Sequence, residues 1–268
     1  IGSSNTLISS HKIHSLAWVK PKIKNADGLC VYDDPIEGHI YVITVDTSRG
    51  QGKDYSAFCV IDITNPPYKV VARFRNNIIS PMVYPTVVKR LAEQYNNAFC
   101  LIEINDIGGQ VADVLYSDLE YENVLMCSHQ GRKGTVQVGV RTSQVVKKLG
   151  CSVLKSLIEE DKLLVEDQEI VGELTTFVAK KQSYEADDGH HDDLVMCLVL
   201  FGWLTRQEYF KNLTDVDVRT DIYKEDIEQL EEDMSPFGFI SDAGGEDSVW
   251  DGKDRWYSDK EDTKGGFF

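Results

Sequence analysis

Three carboxylate positions in this sequence combine apolar surroundings with a place at the boundary of a predicted element. Asp46 ends a β-rich run, and Glu103 lies inside the short apolar run 100–104. The pair Asp192 and Asp193 begins a helical stretch that is apolar on nearly every face. A carboxylate in such surroundings is costly unless it is solvated, paired or bound to a metal ion.

These acids could together hold divalent cations. Three carboxylates at one strand edge repel one another unless cations offset their charge. Ligands that are all oxygen select Mg²⁺ or Mn²⁺ over zinc, and two ions about 3.5–4 Å apart are the usual device for in-line cleavage of a phosphodiester. Taken alone, either residue of the 192–193 pair is equally well explained as a helix cap. Helical periodicity does not separate the two, because each shares a face with apolar residues.

The elements that must position these acids form a mixed α/β pattern. Three consecutive runs joined by short turns, 39–46, 55–63 and 68–75, predict an antiparallel meander. Two further strands are predicted at 98–104 and 123–126, and helices at 85–95, 107–119, 143–159, about 170–180 and 194–204. This order favours an α/β fold, with a mixed sheet covered by helices on both faces.

Charge is distributed unevenly over the 268 residues. The chain carries 28 basic and 44 acidic residues, a net charge of −16, which argues against a uniformly basic nucleic-acid-binding surface. Residues 215–268 hold 17 of the acidic residues and only 6 of the basic ones. Residues 123–158 instead contain six basic residues and no Asp or Glu. That stretch is a candidate anion-binding segment, with a solvated helix face and loop as the equally weighted alternative.

Several other classes find no support in the sequence. It contains no apolar run of about 18 residues that predicts a membrane span, and no signal peptide is recognised. The six cysteines lack a CxxC pair, which favours a reducing compartment and gives no case for zinc. The loop 50–54 does not match the phosphate-binding pattern G-x-x-x-x-G-K-[ST]. Because the chain begins with Ile1, we expect it to be part of a longer protein.

Several segments together resemble the C-terminal nuclease domain of the large terminase subunit of T-even-like tailed bacteriophages, within the ribonuclease H-like superfamily. They are Val45-Asp-Thr-Ser-Arg-Gly-Gln-Gly-Lys-Asp-Tyr55, Leu119-Glu-Tyr-Glu122, Gly150-Cys-Ser-Val-Leu-Lys155, Gly189-His-His-Asp-Asp-Leu-Val-Met196 and Phe201-Gly-Trp203. The opening segment 1–9 is similar to the point where the ATPase half of that family passes into its nuclease half. The resemblance extends to about residue 235.

The resemblance implies a ribonuclease H-like mixed sheet, an antiparallel three-strand meander plus parallel strands with helices on both faces. It implies a connector from a missing ATPase half at 1–36 and a nuclease domain at 37–212. We expect an acidic, partly disordered C-terminal tail at 213–268.

The resemblance also implies site residues. Asp46, Glu103 and Asp193 match its catalytic metal-binding acids, and Asp193 is chosen over Asp192 on the resemblance alone. Asp54 matches a further, supporting acid, for which an exposed turn residue is the alternative.

The implied function is a metal-dependent endonuclease that uses Mg²⁺ or Mn²⁺, two ions in all. It would cut concatemeric double-stranded DNA at the initiation and completion of packaging with little sequence specificity. The implied partners are the ATPase domain of the same full-length chain, the portal protein and the small terminase subunit. The implied location is the host cell cytoplasm, transiently on the procapsid portal. Two alternatives stay open: a Holliday-junction resolvase or integrase-like nuclease of this fold, and a non-catalytic module that docks DNA or portal.

Basic and histidine residues complete the predicted site. Contacts to DNA phosphates are predicted for Arg132, Lys133, Arg141, Lys147, Lys148, Lys180 and Lys181. His190 and His191 are candidates for touching a phosphate or orienting an acid, although they could equally line the approach to the last helix.

Overall fold

The computed structural model describes residues 5–128, 136–180, 183–214, 248–250 and 255–257. The chain divides into two compact units, 1–219 and 220–268. In chain order the described elements of the first unit are α1 (Ser10–Ser15), β1 (Ile23–Lys24), β2 (Leu29–Val31), β3 (Tyr41–Asp46), β4 (Ser56–Asp62), β5 (Tyr68–Asn76), α2 (Tyr84–Gln94), β6 (Phe99–Ile102), α3 (Gly108–Asp113), a π-helical turn (Val114–Asp118), β7 (Met126–Ser128), β8 (Val136–Val138), α4 (Gln144–Glu159), β9 (Leu163–Leu164), α5 (Gln168–Thr176), β10 (Phe177–Lys180), β11 (Ser183–Ala186), α6 (Asp193–Leu204) and α7 (Glu208–Thr214).

A mixed seven-stranded sheet forms the centre of this unit. Its strand order is β1-β2-β5-β4-β3-β6, and β9 pairs with one end of β5. Strands β3, β4 and β5 form the predicted antiparallel meander, whereas β6 runs parallel to β3. This arrangement confirms the predicted ribonuclease H-like mixed sheet.

Both faces of the sheet are buried, because side chains alternate along each strand and helices cover both sides. Val42, Cys59 and Leu101 belong to one apolar cluster, together with residues of α4, α5 and α6. Ile43 and Phe58 belong to a second cluster, together with residues of α2 and α3. The sheet therefore has an apolar core on each of its two faces.

Helix α6 is the most deeply buried helix of the described chain. Every one of its residues except Trp203 is buried, as its all-round apolar composition predicts. It packs closely on α4, where a Cβ added to Gly150 would lie 2.3 Å from the carbonyl oxygen of Val199. This close approach fixes the helix whose first residue is Asp193.

The N-terminal part of the chain is more involved in the sheet than its polar sequence suggested. Leu29 to Val31 pair with β5, and Leu7, Ile8 and Ile13 are buried. The sheet therefore extends on the N-terminal side of the predicted boundary at residue 37. At the other boundary, α7 runs across residue 212. The assignment of 1–36 as a connector from an ATPase half stays a prediction.

Two elements of the structure differ in type or position from those predicted from the sequence. The helix expected over about 170–180 ends at Thr176, and Phe177 begins the β10–β11 hairpin, because its aromatic and β-branched start suits a strand. The strand expected at 123–126 begins at Met126 instead, while Val124 forms only an isolated bridge to Cys100.

All six cysteines are free and buried. Burial raises the pKa of the Cys127 and Cys151 thiols to about 11 in each case. Among the helices of the described ranges, none is long and apolar enough to span a bilayer.

The second unit has one described feature. Strands β12 (Ser248–Trp250) and β13 (Arg255–Tyr257) pair as an antiparallel hairpin. The rest of the predicted acidic tail from residue 215 onward lies outside the described residues.

Candidate metal centre

The register of two parallel strands brings Asp46 and Glu103 side by side. Val45 of β3 pairs with Ile102 of β6, so the two acids occupy the next position on each strand. The Glu103 amide donates to the Val45 carbonyl oxygen at 2.9 Å. Because side chains alternate, both acids lie on the face covered by α6, to which Leu101 also belongs.

Asp193 reaches the same edge from the first turn of α6. Its side chain is buried, and its Oδ1 accepts a 3.2 Å hydrogen bond from the Tyr55 amide. One turn later the Cys197 thiol donates to the carbonyl oxygen of Ala57, which pairs with Asp46 across β3 and β4. The helix face that carries Asp193 therefore faces the sheet.

Asp192 points elsewhere. Its Oδ2 accepts a 3.1 Å hydrogen bond from the amide of Ala186 at the end of β11, and its side chain makes no capping bond to α6. The fold thus distinguishes two adjacent aspartates that helical periodicity did not.

The pKa shifts show that the cluster of Asp46, Glu103 and Asp193 has little positive charge around it. The pKa of Asp46 is raised well above its usual range, and burial is the largest cause. The charge of Glu103, a hydrogen bond with Glu103 and then the charge of Asp193 raise it further. Burial also raises the pKa of Asp193, although the Tyr55 amide, Arg75 and a histidine counteract it. Negative charge at this edge is therefore only partly compensated by the protein.

The donor set fits a hard divalent cation. Asp193 Oδ2 is buried and accepts no hydrogen bond; Arg75 Nη2 lies 3.6 Å from it and His191 Nδ1 lies 3.8 Å from it. Within the part of the chain that is described, no three His, Cys, Asp or Glu side chains already have the spacing of ligands to one ion. The candidate ligands are all carboxylate oxygens, which suits Mg²⁺ or Mn²⁺. A bound ion would give this buried oxygen a ligand contact and would favour the charged form of the carboxyls whose pKa values are raised.

Glu103 is oriented by a neighbouring amide. The Asn105 side-chain nitrogen donates to Glu103 Oε1 at 3.1 Å and to the Thr142 carbonyl oxygen at 3.0 Å. The loop after β6 also packs tightly on the acid, because a Cβ added to Gly108 would lie 1.9 Å from the Glu103 carbonyl oxygen.

Two titratable residues beside the site were not predicted. Glu173 Oε2 accepts the Val195 amide at 3.0 Å and so caps the start of α6. Arg75 Nη2 lies 3.4 Å from Glu173 Oε1 and 3.6 Å from Asp193 Oδ2, and its guanidinium sits 3.9 Å above the Tyr55 ring. A lone acid on the apolar side of a predicted helix was a signal that could have identified Glu173.

The remaining predicted acids and histidines lie at the rim. Asp54 is exposed in the β3–β4 loop. His191 contacts the Tyr55 ring edge to face, with centroids 4.9 Å apart, while His190 is exposed. Only His191 is thus within reach of an acid of the cluster, at the 3.8 Å distance to Asp193.

The predicted basic residues have different surroundings. Arg141 and Lys148 are exposed, and Arg141 follows Val140, which bridges Glu103. Lys147 is half-buried beside the Phe177 ring. Lys180 forms a 2.8 Å ion pair with Asp188. The other predicted contacts lie outside the described residues: Arg132, Lys133 and Lys181.

Known proteins share this architecture. The family model described as terminase RNaseH-like domain matches residues 43–201. The large terminase nuclease of thermophilic phage G20c with bound cobalt is 24% identical, with a TM-score of 0.59 over 75% of this chain and 97% of that chain. The same nuclease with bound magnesium is 23% identical, with the same TM-score and coverage. The large terminase nuclease domain of Thermus phage P74-26 is 24% identical, with a TM-score of 0.55 over 73% of this chain and 93% of that chain.

The structural likenesses show a common fold, and the family match covers more than half of the chain. The family match and the structural likenesses together confirm the resemblance to terminase nuclease domains. The narrower resemblance to T-even-like phages stays a prediction. The chain belongs to the terminase RNaseH-like domain family.

Proposed function

We propose that this chain is the metal-dependent endonuclease domain of a viral DNA-packaging terminase. The observation that carries the proposal is the convergence of Asp46, Glu103 and Asp193 at one edge of a ribonuclease H-like sheet. Burial and mutual repulsion raise the pKa of Asp46, which is what a site built to receive cations requires.

Asp46, Glu103 and Asp193 would hold Mg²⁺ or Mn²⁺, and two ions are proposed. Bound divalent cations supply positive charge that activates water and stabilises the charge developing on the phosphate oxygens. Homologous structures that carry magnesium or cobalt support a divalent cofactor. Because burial, the charge of Glu103 and a hydrogen bond with it raise the pKa of Asp46, cation binding should release a proton.

The other residues of the site would fix these ligands. The Tyr55 amide and Arg75 hold Asp193 from two sides, while Asn105 orients Glu103. Preorganised ligands of this kind bind a metal more tightly, because less side-chain freedom is lost. Asp192 and Asp54 stay proposals as further metal ligands, Asp192 as the alternative to Asp193 and Asp54 in a supporting role.

DNA would be held by the basic residues predicted from the sequence. Arg141 and Lys148 are exposed cations, and the proposal retains Lys147, Lys180 and the residues beyond the described ranges, Arg132, Lys133 and Lys181. Their contacts would be to phosphates, so binding should carry little sequence preference and weaken steeply with salt.

The proposed biological role follows from the family. The domain would cut concatemeric double-stranded DNA when packaging starts and when the capsid is full. It would act with an ATPase domain of the same full-length chain, the portal protein and the small terminase subunit, in the host cell cytoplasm on the procapsid portal.

A plasmid-nicking assay tests the activity. We expect supercoiled plasmid to be nicked with Mg²⁺ or Mn²⁺ and not with EDTA. Asp46→Asn, Glu103→Gln and Asp193→Asn should each reduce the rate more than about 100-fold, since ligand loss should exceed the 10–100-fold typical of outer-sphere partners. Asp161→Asn is the matched control, because that carboxylate is 75% exposed and its left-handed φ of 55° suits asparagine.

Three results would contradict the proposal in different ways. Cleavage in EDTA would contradict metal dependence, and absent cleavage would favour a non-catalytic DNA or portal module. Strong preference for branched junctions would favour a resolvase or integrase-like enzyme. If Asp192→Asn abolished cleavage while Asp193→Asn retained it, the third ligand would be wrong. Calorimetric titration of Mn²⁺ into each variant measures ligand loss independently of cutting.

A further inference from the structure

An exposed arginine and aspartate connect the two loops that flank the acidic centre. Arg49 lies three residues after Asp46, and Asp106 lies three residues after Glu103. Arg49 Nε donates to Asp106 Oδ2 at 2.7 Å and its Nη2 donates to Oδ1 at 2.5 Å. Since β3 and β6 are parallel, this bidentate pair lies at the end of the sheet where the acids converge.

The backbone around both side chains is held firmly. Ser48 is buried, and its amide donates to the Ser56 hydroxyl at 3.0 Å. Gly50 has a φ of 65°, and a Cβ there would lie 2.2 Å from the Ile79 carbonyl oxygen. On the other loop, Gly108 packs on the Glu103 carbonyl oxygen. The two loops are thus positioned without help from the exposed ion pair.

The ion pair itself should be easy to open. Its side chains are 60% and 59% exposed, for Arg49 and Asp106 respectively. Exposed pairs contribute little to stability because water and salt screen them. A guanidinium that accommodates both oxygens of a carboxylate presents the same donor fork that binds two oxygens of a phosphate.

We infer that Arg49 binds a phosphate of the DNA strand beside the scissile bond, and that Asp106 holds the guanidinium until that phosphate replaces it. The inference rests on the proposed function only for the identity of the ligand as DNA. Arg49 acts here as a substrate-positioning residue, and Asp106 acts through it. Neither residue is among the proposed metal ligands or the basic residues predicted from the sequence.

A double-mutant cycle on DNA affinity tests this exchange. Binding of a fluorescein-labelled duplex of about 30 base pairs is followed by anisotropy in EDTA over a salt series. Arg49→Ala should weaken binding and lower the salt slope by about 1, as loss of one phosphate contact does. Asp106→Asn should tighten binding about twofold to fivefold, because the competing carboxylate is gone.

The cycle separates exchange from a simple change in charge. Removing Asp106 also reduces repulsion of DNA, so Asp106→Asn alone is not decisive. If a phosphate replaces Asp106 on Arg49, Asp106→Asn tightens DNA binding by a larger factor in the wild-type background than in the Arg49→Ala background. Equal factors in the two backgrounds, weaker binding by Asp106→Asn, or a wild-type chain that does not bind the duplex at low salt would each overturn the inference.

Two controls complete the experiment. Asp161→Asn removes an exposed carboxylate that pairs with Lys12 and should leave the affinity nearly unchanged. Circular dichroism melting checks that all variants fold. Since the cycle is measured in EDTA, a chain that shows the coupling yet fails to nick plasmid with metal refutes the nuclease proposal and not this inference. A chain that nicks plasmid but shows no coupling between Arg49 and Asp106 in DNA affinity refutes this inference and not the nuclease proposal.

Discussion

Replacing Glu173 by glutamine should flatten the pH dependence of the stability of this chain. Glu173 is 7% exposed, and its Oε2 accepts the Val195 amide at the start of α6. Its Oε1 faces Arg75 at 3.4 Å but has no hydrogen-bond partner. Burial, which outweighs the opposing effects of the amide and of Arg75, raises the pKa of this carboxyl from 4.5 to about 8.

The sign of the effect follows from proton binding. Between the unfolded pKa of 4.5 and the folded pKa of about 8, the folded chain keeps a proton that the unfolded chain has released. The free energy of unfolding contributed by Glu173 therefore falls as the pH rises through that window. At about 1.4 kcal/mol per pH unit, the loss between pH 5.5 and 7.5 is about 2–3 kcal/mol.

Urea unfolding in EDTA at several pH values measures this loss. Glutamine keeps an oxygen to accept the Val195 amide and does not titrate, so any fixed cost of the substitution is the same at every pH. The wild type should lose about 2–3 kcal/mol relative to Glu173→Gln from pH 5.5 to 7.5. Parallel curves for the two proteins would refute the reasoning. So would a wild type that gains stability with pH relative to Glu173→Gln, which is the behaviour of a carboxyl whose pKa Arg75 had lowered.

Two further substitutions probe the packing that supports the site. Gly150→Ala should destabilise the chain by roughly 1–3 kcal/mol in urea unfolding, because its Cβ would lie 2.3 Å from a carbonyl oxygen of α6. Gly172→Ala, in an open part of α5, should instead be neutral or stabilise by roughly 0.5–1 kcal/mol, and equal effects would contradict the close-packing account. Asp167→Ala should cost about 3–5 kcal/mol, because buried Arg73 keeps its contact with Glu169 but loses the one with Asp167, and the Tyr32 hydroxyl and the Ile170 amide lose their acceptor. The control Asp188→Ala removes a carboxylate that is 99% exposed and should change stability by less than about 0.5 kcal/mol.

Features set by local pattern were predictable from the sequence. The meander follows from three apolar runs with short turns, and α6 follows from its all-round apolar composition. The approach of Asp46 to Glu103 could be anticipated, because each was predicted on a strand of one sheet. These inferences need only periodicity and the length of the connections.

Features that depend on distant partners were not predictable. β2 is too short to recognise alone, and its partner β5 lies about 40 residues further along the chain. Helical periodicity did not separate Asp193 from Asp192, because it does not show that the helix face with Cys197 packs on β4. The role of Glu173 depends on the amide of Val195, on a different helix. Single-sequence patterns carry no information about such tertiary partners.

Because all six cysteines are buried, the rate at which each thiol is alkylated can report local opening of the fold. They lie on β2, β4, β6, β7, α4 and α6, and so sample both the sheet and the helices that carry the acids. Burial raises the pKa of the Cys30 and Cys197 thiols and so suppresses their thiolate form, which is the form that alkylating reagents attack. Each native thiol should therefore react at a rate set by how often its own element opens. Comparing Cys197 with Cys30 by mass spectrometry would show whether the edge that carries Asp193 opens independently of the far side of the sheet.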